Sequence, residues 1–489
     1  MRYCVCLEGR GGRTRVKAAL GYSLVLLFVL LLNCTSASAL PAFGRKYGMP
    51  CSACHEAWPK LSPFGQQFKD NGYQLGNDRD APIFQQAAYW PVTFRITPVW
   101  HRESTDKAQV DGSNGPGGNE AKVTSHGFDW SGLDFHTAGT LAKNFSFYVL
   151  PSSDNTGAFH FESVWARMDN IAGSSWFNIK LGKFELDNLL SEKRILTLSN
   201  EGGLYQNYHF QPATETPGFY TFGIGDNQDG VEWMGHSKDD RTRISASLLS
   251  SNDGSPGQPT SRGYDAFFAA SRAFEVGSLG LQRVGGFAYL GQAPTYFQFN
   301  LTATTTVGTD SVTGAPVTST ATTGYPGTGI GNKGFQRYGA IGMWYIKKFD
   351  ITTIYFHGTD NAYLGLSLPS TSALPTGAHS PSWNGGLFES HLLLNPQWIF
   401  TNRYELIRMS QQALPVVAGP YTPGVSVPTS SFGNIDALTF GMRYYPFISS
   451  RAGFAYHAEY SILRQRNVSP VTGSDLTTSS LLFGFDFAF

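Results

Sequence analysis

Charge is the scarcest feature of this chain. Its 489 residues include 36 basic and 36 acidic side chains, 15% charged in all, where a soluble globular protein carries about 25%. No apolar run long enough to cross a bilayer follows residue 40, which excludes a bundle of transmembrane helices. There is no basic excess to suggest a nucleic-acid partner. The chain also lacks a phosphate-binding glycine motif, a nucleophile elbow and a zinc-ligand pair, and cysteine is limited to five positions. What is present is 14% aromatic residues and 55 glycines. Low charge without greasy helices points to an all-β chain of the transmembrane barrel type, in which lipid-facing residues are diluted by polar lumen residues and loops.

Residues 1–39 follow the plan of a secretory signal. Arg10, Arg13, Arg15 and Lys17 form the charged region, Ala18 to Leu32 the apolar run, and Ala37-Ser38-Ala39 the small residues of a cleavage site. The expected mature chain starts at Leu40. It keeps 31 basic and 35 acidic residues, a mildly acidic balance.

Removing the leader takes away Cys4, Cys6 and Cys34 and leaves Cys51 and Cys54, within Cys51-Ser52-Ala53-Cys54-His55. This is the attachment pattern of a c-type haem. Each thiol can form a thioether to a haem vinyl group, and His55, held beside the porphyrin by the double tether, can ligate the iron. A redox disulfide of the thioredoxin type calls for a βαβ pattern, and half of a zinc site lacks its second pair. The expected cofactor is one covalent haem c, with His55 as proximal ligand. The distal ligand stays open between His101, Met49 and the histidines of a lumen.

After the motif, Ser62-Pro63 reads as an N-cap followed by proline in the first turn. Phe64 and Phe68 share a face, and Asn71-Gly72 ends the helix. Residues 40–91 therefore read as a small helical cytochrome domain. About fifty residues bury little surface alone, so a second surface is needed to shield a haem.

Residues 92–489 divide into sixteen segments with period-two alternation, the repeated signal of barrel strands. These are 92–102, 127–139, 144–151, 159–169, 176–185, 229–236, 241–250, 263–271, 280–291, 335–346, 349–357, 384–393, 396–406, 433–445, 449–460 and 477–489. Connections are long after each odd strand and short after each even one, an order that puts both termini in the periplasm. In the last segment Leu481, Phe483, Phe485, Phe487 and Phe489 alternate with Leu482, Gly484, Asp486 and Ala488, giving one greasy face and a terminal phenylalanine. The same alternation sends Phe454, Tyr456 and Tyr460 to lipid. It sends Asp134, His136, Glu389, His391, Arg403, Glu405, Arg443, His457 and Glu459 to the lumen. Residues 292–334 read as a mobile external loop, 186–201 as a helical constriction or external loop, and 407–432 as a proline-rich loop.

Tyr47-Gly48-Met49, then Cys51, Cys54 and His55, Pro59, Leu61, Pro63-Phe64-Gly65, Phe68 and Asn71-Gly72-Tyr73 resemble the leader domain of the fused monohaem cytochrome and porin family. Its best-known members are outer-membrane iron(II) oxidases. The resemblance is dense over residues 44–75 and only architectural over the barrel. Trp58 stands in place of a phenylalanine of the iron oxidases, and Asn77 to Pro82 look more like other relatives. The resemblance implies a cytochrome plug in an outer-membrane barrel, oxidising extracellular iron(II) and passing electrons to a soluble periplasmic cytochrome, an iron(II):cytochrome oxidoreductase. The haem residues Cys51, Cys54 and His55 carry over; no iron-binding residue does. Two other functions fit the same residues: a diffusion porin with the cytochrome as plug or sensor, and outward extracellular electron transfer.

Overall fold

The computed structural model describes residues 43, 47, 49–57, 60–73, 92–110, 119–129, 133–153, 156–186, 227–250, 264–294, 299–309, 316–325, 332–359, 382–395, 397–411, 434–448, 452–467 and 474–488. The leader, most of the 186–201 segment, most of the 407–432 loop and Phe489 lie outside them.

Two short helices come first, α1 (Cys51–Cys54) and α2 (Pro63–Asp70), with a ribbon of His55–Ala57 and Lys60–Leu61 between them. The wall follows. It consists of β1 (Val92–Ile96, resumed as Val99–Gln109), β2 (Glu120–Asp129, resumed as Asp134–Ala142), β3 (Phe145–Ser153), β4 (Phe159–Met168), β5 (Asn178–Glu185), β6 (Asn227–His236), β7 (Thr242–Ser250) and β8 (Tyr264–Glu275). It continues with β9 (Leu281–Pro294), β10 (Asn332–Ile346), β11 (Phe349–Thr359), β12 (Ser382–Asn395), β13 (Trp398–Gln411), β14 (Ile435–Ile448), β15 (Gly453–Gln465) and β16 (Leu476–Ala488). Every neighbour is antiparallel, and β16 returns to β1 through pairs such as Phe487 with Ile96 and Leu482 with His101. The result is a closed barrel of sixteen strands.

Three features depart from the sequence reading. Strands β1 and β2 run beyond 102 and start before 127, because Ser104–Thr124 and their neighbours keep pairing where the outside is no longer apolar. Period-two hydrophobicity stops there while the ladder continues. Second, the strict alternation of connection lengths fails once. After β3 the link is only 154–158, whereas after β4 it is 169–177 and carries the turn Ile171–Gly173. The Asn178 side chain holds this turn by accepting from the Asn170 amide at 2.8 Å and donating to the Ser175 carbonyl at 2.9 Å, which delays β5 by two residues. Third, 292–334 is not merely loop: Phe299–Thr309 pairs with Pro316–Tyr325 in a separate ribbon, as threonine-rich strands favour.

The faces follow the pleat. Outside, Leu181, Phe268, Tyr355, Phe388, Phe440, Tyr456, Tyr460 and Phe483 are exposed. Near the short turns, the rings of Trp398 and Tyr444 stack at 4.4 Å and those of Phe454 and Phe485 at 5.3 Å, in keeping with the aromatic girdle of a membrane barrel. Inside, Glu389, His391, Arg403, Glu405, Arg443, His457 and Glu459 are buried, as the alternation requires.

Toward the long-loop rim the inner face turns aromatic, and glycine explains how the rings fit. A Cβ on Gly291, Gly339, Gly358 or Gly385 would lie 2.1–2.2 Å from the ring of Phe335, Phe287, Trp383 or Phe356 respectively. Each ring lies over a neighbouring strand's bare backbone, a use of strand glycine that also protects the ladder. Trp383 is 1% exposed, so its ring has nowhere to go. Gly358→Ala is expected to cost about 1–3 kcal/mol by overpacking. Gly386→Ala, whose Cβ would meet its nearest atom at 3.6 Å, is expected to stay within about 0.5 kcal/mol. Denaturant titration of the barrel folded into lipid vesicles checks both.

Candidate functional site

The backbone of Cys51–Cys54 forms the single turn α1, and His55 follows it immediately. Helix α2 then clamps the motif. The Ser62 amide donates to the Cys54 carbonyl and the Ser62 hydroxyl to the Ala53 carbonyl, both at 2.9 Å. The same hydroxyl accepts from the Gly65 amide at 3.1 Å as the helix N-cap. Gly65 is required by close approach, since a Cβ there would lie 2.0 Å from the Cys54 carbonyl oxygen. At the other end Gly72 (φ 69°) closes α2, with amides of Gly72 and Tyr73 donating to the Lys69 and Phe68 carbonyls, a Schellman stop.

The donor set fits a c-type haem. Cys54 is a free thiol, and burial pushes its pKa up to about 11, so it stands as a neutral thiol able to become a thioether. His55 pairs across the small ribbon with Leu61, which fixes its backbone beside the N-terminus of α2.

Helix α2 is joined to the inner wall by side chains of several strands. Lys69 pairs with Glu185 of β5 at 2.9 Å. The Asp70 carboxylate pairs with Arg243 of β7, and the Asp70 carbonyl accepts from Arg167 of β4. Phe68 packs with Phe43, Tyr47 and Tyr73. Tyr73 stacks on Tyr148 of β3 and Trp165 of β4, with ring centroids 6.1 and 6.0 Å away. Beside α2 a cavity of about 390 Å³ separates Leu61, Pro63, Phe64 and Gln67 from strands β7 to β10, within the roughly 300–1,000 Å³ typical of ligand sites.

The residues singled out from sequence divide sharply. Cys51, Cys54 and His55 stand together. His101 lies on β1, paired with Leu482 of β16 and Gly127 of β2, outside the arc of β3 to β10 against which α2 is packed. Met49 belongs to the segment entering α1. His136 bonds Tyr148 at 2.9 Å, two rings away from α2. His391 meets Glu389, which accepts from Arg403 at 2.5 Å, and His457 lies beside Gly484. Among the described residues, no group of three or more His, Cys, Asp and Glu side chains is arranged to hold a metal ion. Sequence reasoning missed Glu185, Arg243, Tyr148 and Trp165 as partners of α2, because nothing in the order of the chain joins them to residues 63–73.

A closed antiparallel barrel with an apolar exterior and buried charges inside is an outer-membrane barrel of porin-like architecture. No family model matches the chain, and no curated protein does. Solved structures similar to it include the anion-selective porin from Comamonas acidovorans, at 8% identity and TM-score 0.49, over 81% of this chain and 98% of that one. The outer-membrane channel DcaP of Acinetobacter baumannii follows at 9% and 0.40, over 80% and 97%. Pseudomonas putida OprB stands at 10% and 0.39, over 81% and 94%. What those proteins conduct is theirs; the barrel of this chain rests on its own strand pairing.

Burial of Cys54 has a measurable result. With its thiol at about 11 instead of 9.0, the thiolate fraction at pH 8 falls about a hundredfold. In a Cys51→Ser chain made without haem attachment, alkylation of half-buried Cys54 is expected to be slower than for an exposed cysteine by about tenfold or more, since the higher-pKa thiolate is also the better nucleophile, and to rise with pH through about 11. Fast alkylation at pH 8 overturns the buried-thiol geometry.

Proposed function

We propose that this chain is an outer-membrane electron-transfer protein that carries one covalent haem c on Cys51, Cys54 and His55. The carrying observation is the Cys-x-x-Cys-His turn, clamped by α2, whose Lys69, Asp70 and Tyr73 engage the inner wall of the barrel. When bound, the haem supplies a one-electron carrier. Cys51 and Cys54 tether it, His55 is the proximal ligand, and the barrel supplies the second surface that a fifty-residue domain needs against water.

Bacterial outer-membrane barrels place short turns in the periplasm. In this reading the short-turn rim, and both chain ends, face the periplasm, and residues 1–39 are the export leader. The N-terminal segment acts as a plug, and the partners are an extracellular redox species and a soluble periplasmic cytochrome. The family resemblance supplies iron(II) as the extracellular substrate; outer-sphere transfer requires no iron-binding cluster. A second reading, a diffusion porin with the same segment as plug or sensor, is favoured by the charged side chains of the lumen. Outward transfer of electrons is the same reading with a low potential.

Two measurements test this. On a denaturing gel stained for haem peroxidase activity the chain should give a band that Cys51→Ala with Cys54→Ala abolishes; a surviving band overturns the attachment. In lipid vesicles holding an oxidised soluble cytochrome, external iron(II) should reduce it while sugars of porin-permeant size stay out. Sugar passage without reduction selects the porin.

A further inference from the structure

We propose that the cavity between α2 and strands β7 to β10 is the haem pocket, and that Met343 of β10 is the distal iron ligand. This rests on the covalent haem proposed above and goes beyond it by naming the pocket and the sixth ligand.

Three observations meet there. Cross-strand partners present their side chains on one face, so His55 shares a face with Leu61, and Leu61 lines the cavity. His55 is thus linked through Leu61 to the border of this space. Phe64, Phe287 and Ile341 give part of the cavity border an apolar surface on which a porphyrin could lie. Phe64 remains 40% exposed although its helix partner Phe68 is 7% exposed. An open phenylalanine on the face of α2 that meets the cavity is the surface a bound ring system would cover.

Third, among the described residues bordering this space there is no histidine and one sulfur, the thioether of Met343. Met343 is the register partner of Arg283 on β9. Arg283 and Arg243 also border the cavity, and arginine is the side chain suited to carboxylates such as haem propionates. Arg243 is engaged with Asp70 and Asp240, and Arg283 donates to the Asp240 carbonyl at 2.9 Å and to Ser271 at 2.9 Å. Both guanidinium groups are thus held in position at the rim. A histidine–methionine pair raises the reduction potential relative to two histidines, the direction that suits taking electrons from iron(II).

The experiment uses the full chain in detergent, with its haem. Met343→Leu is expected to keep covalent haem by peroxidase stain, to lose the red charge-transfer band of iron–thioether ligation and to bind cyanide in the ferric state faster than the parent. Met343→His is expected to keep a low-spin spectrum and lower the midpoint potential. Met49→Leu and His101→Ala should leave the band and the midpoint in place, and heat-modified gel mobility reports barrel folding for every variant. Absence of stainable haem in the parent chain overturns the function proposed above. Haem that stays attached with an unchanged spectrum in folded Met343→Leu, or loss of the band on changing Met49 or His101 instead, overturns this pocket alone.

Discussion

Backbone closure is the constraint on which the rest of the molecule depends. In a bilayer no water satisfies an open edge, so strands cross only as a closed cylinder. Here closure occurs where β16 meets β1, and β1 is broken there at Thr97–Pro98 by a residue with no amide to donate. The wall survives because the Pro98 carbonyl still accepts from the Phe485 amide at 3.3 Å, with Gly484 to Val99 and Phe487 to Ile96 paired on either side. β2 is interrupted at a matching height, its lower part pairing with β1 below the proline and its upper part above it. The defect is absorbed by two strands together, and the cylinder stays shut.

Once the cylinder is shut, inside and outside become fixed by parity, and both contents of the lumen follow. Rings can crowd the inner face near the long loops only because glycine stands on the adjacent strand. Charges can be buried there only in pairs. Arg95 bonds Asp134 and Asp486 at 3.2 and 3.0 Å, and Arg443 bonds Asp486 at 3.0 Å. Such pairs add little net stability, because desolvation offsets their attraction, but removing one partner strands the other. They therefore fix the relation of β1, β2, β14 and β16 more than they strengthen it. The attachment of α2 uses the same chemistry, with Lys69 and Asp70 as its two ends.

The barrel was legible because a period of two is local, and sixteen repetitions of a weak signal make a strong one. Its failures were equally physical. Hydrophobic alternation reports lipid, so β1 and β2 outran it once their outer faces left the apolar zone, and the Asn178 turn lay in side-chain bonds that periodicity does not register. The Cys51-to-His55 turn and the caps Ser62 and Gly72 were legible because each motif spans only a few residues. The partners of α2 were not: Lys69 to Glu185 and Asp70 to Arg243 join positions that only closure brings together. The open choice of distal ligand, between His101, Met49 and lumen histidines, had the same origin: His101 and His457 are inward by parity, but parity does not say which strands stand near α2.

The pairing of lumen charges also bears on what the interior is suited to carry. A selectivity filter concentrates side chains of one sign, so that a permeant ion exchanges water for fixed charge. In this wall opposite signs sit on the same or adjacent strands and consume each other: Glu389 with Arg403, Lys180 with Glu232, Arg167 with Asp169. Lys180 further lies over the rings of Phe184 and Trp165, at 4.6 and 5.8 Å, and Arg337 between Phe335 and Trp383, 4.9 Å from each. Among the described residues these pairs tie neighbouring strands together and leave no concentration of one sign at these positions, so the wall's charges act first as registers between strands.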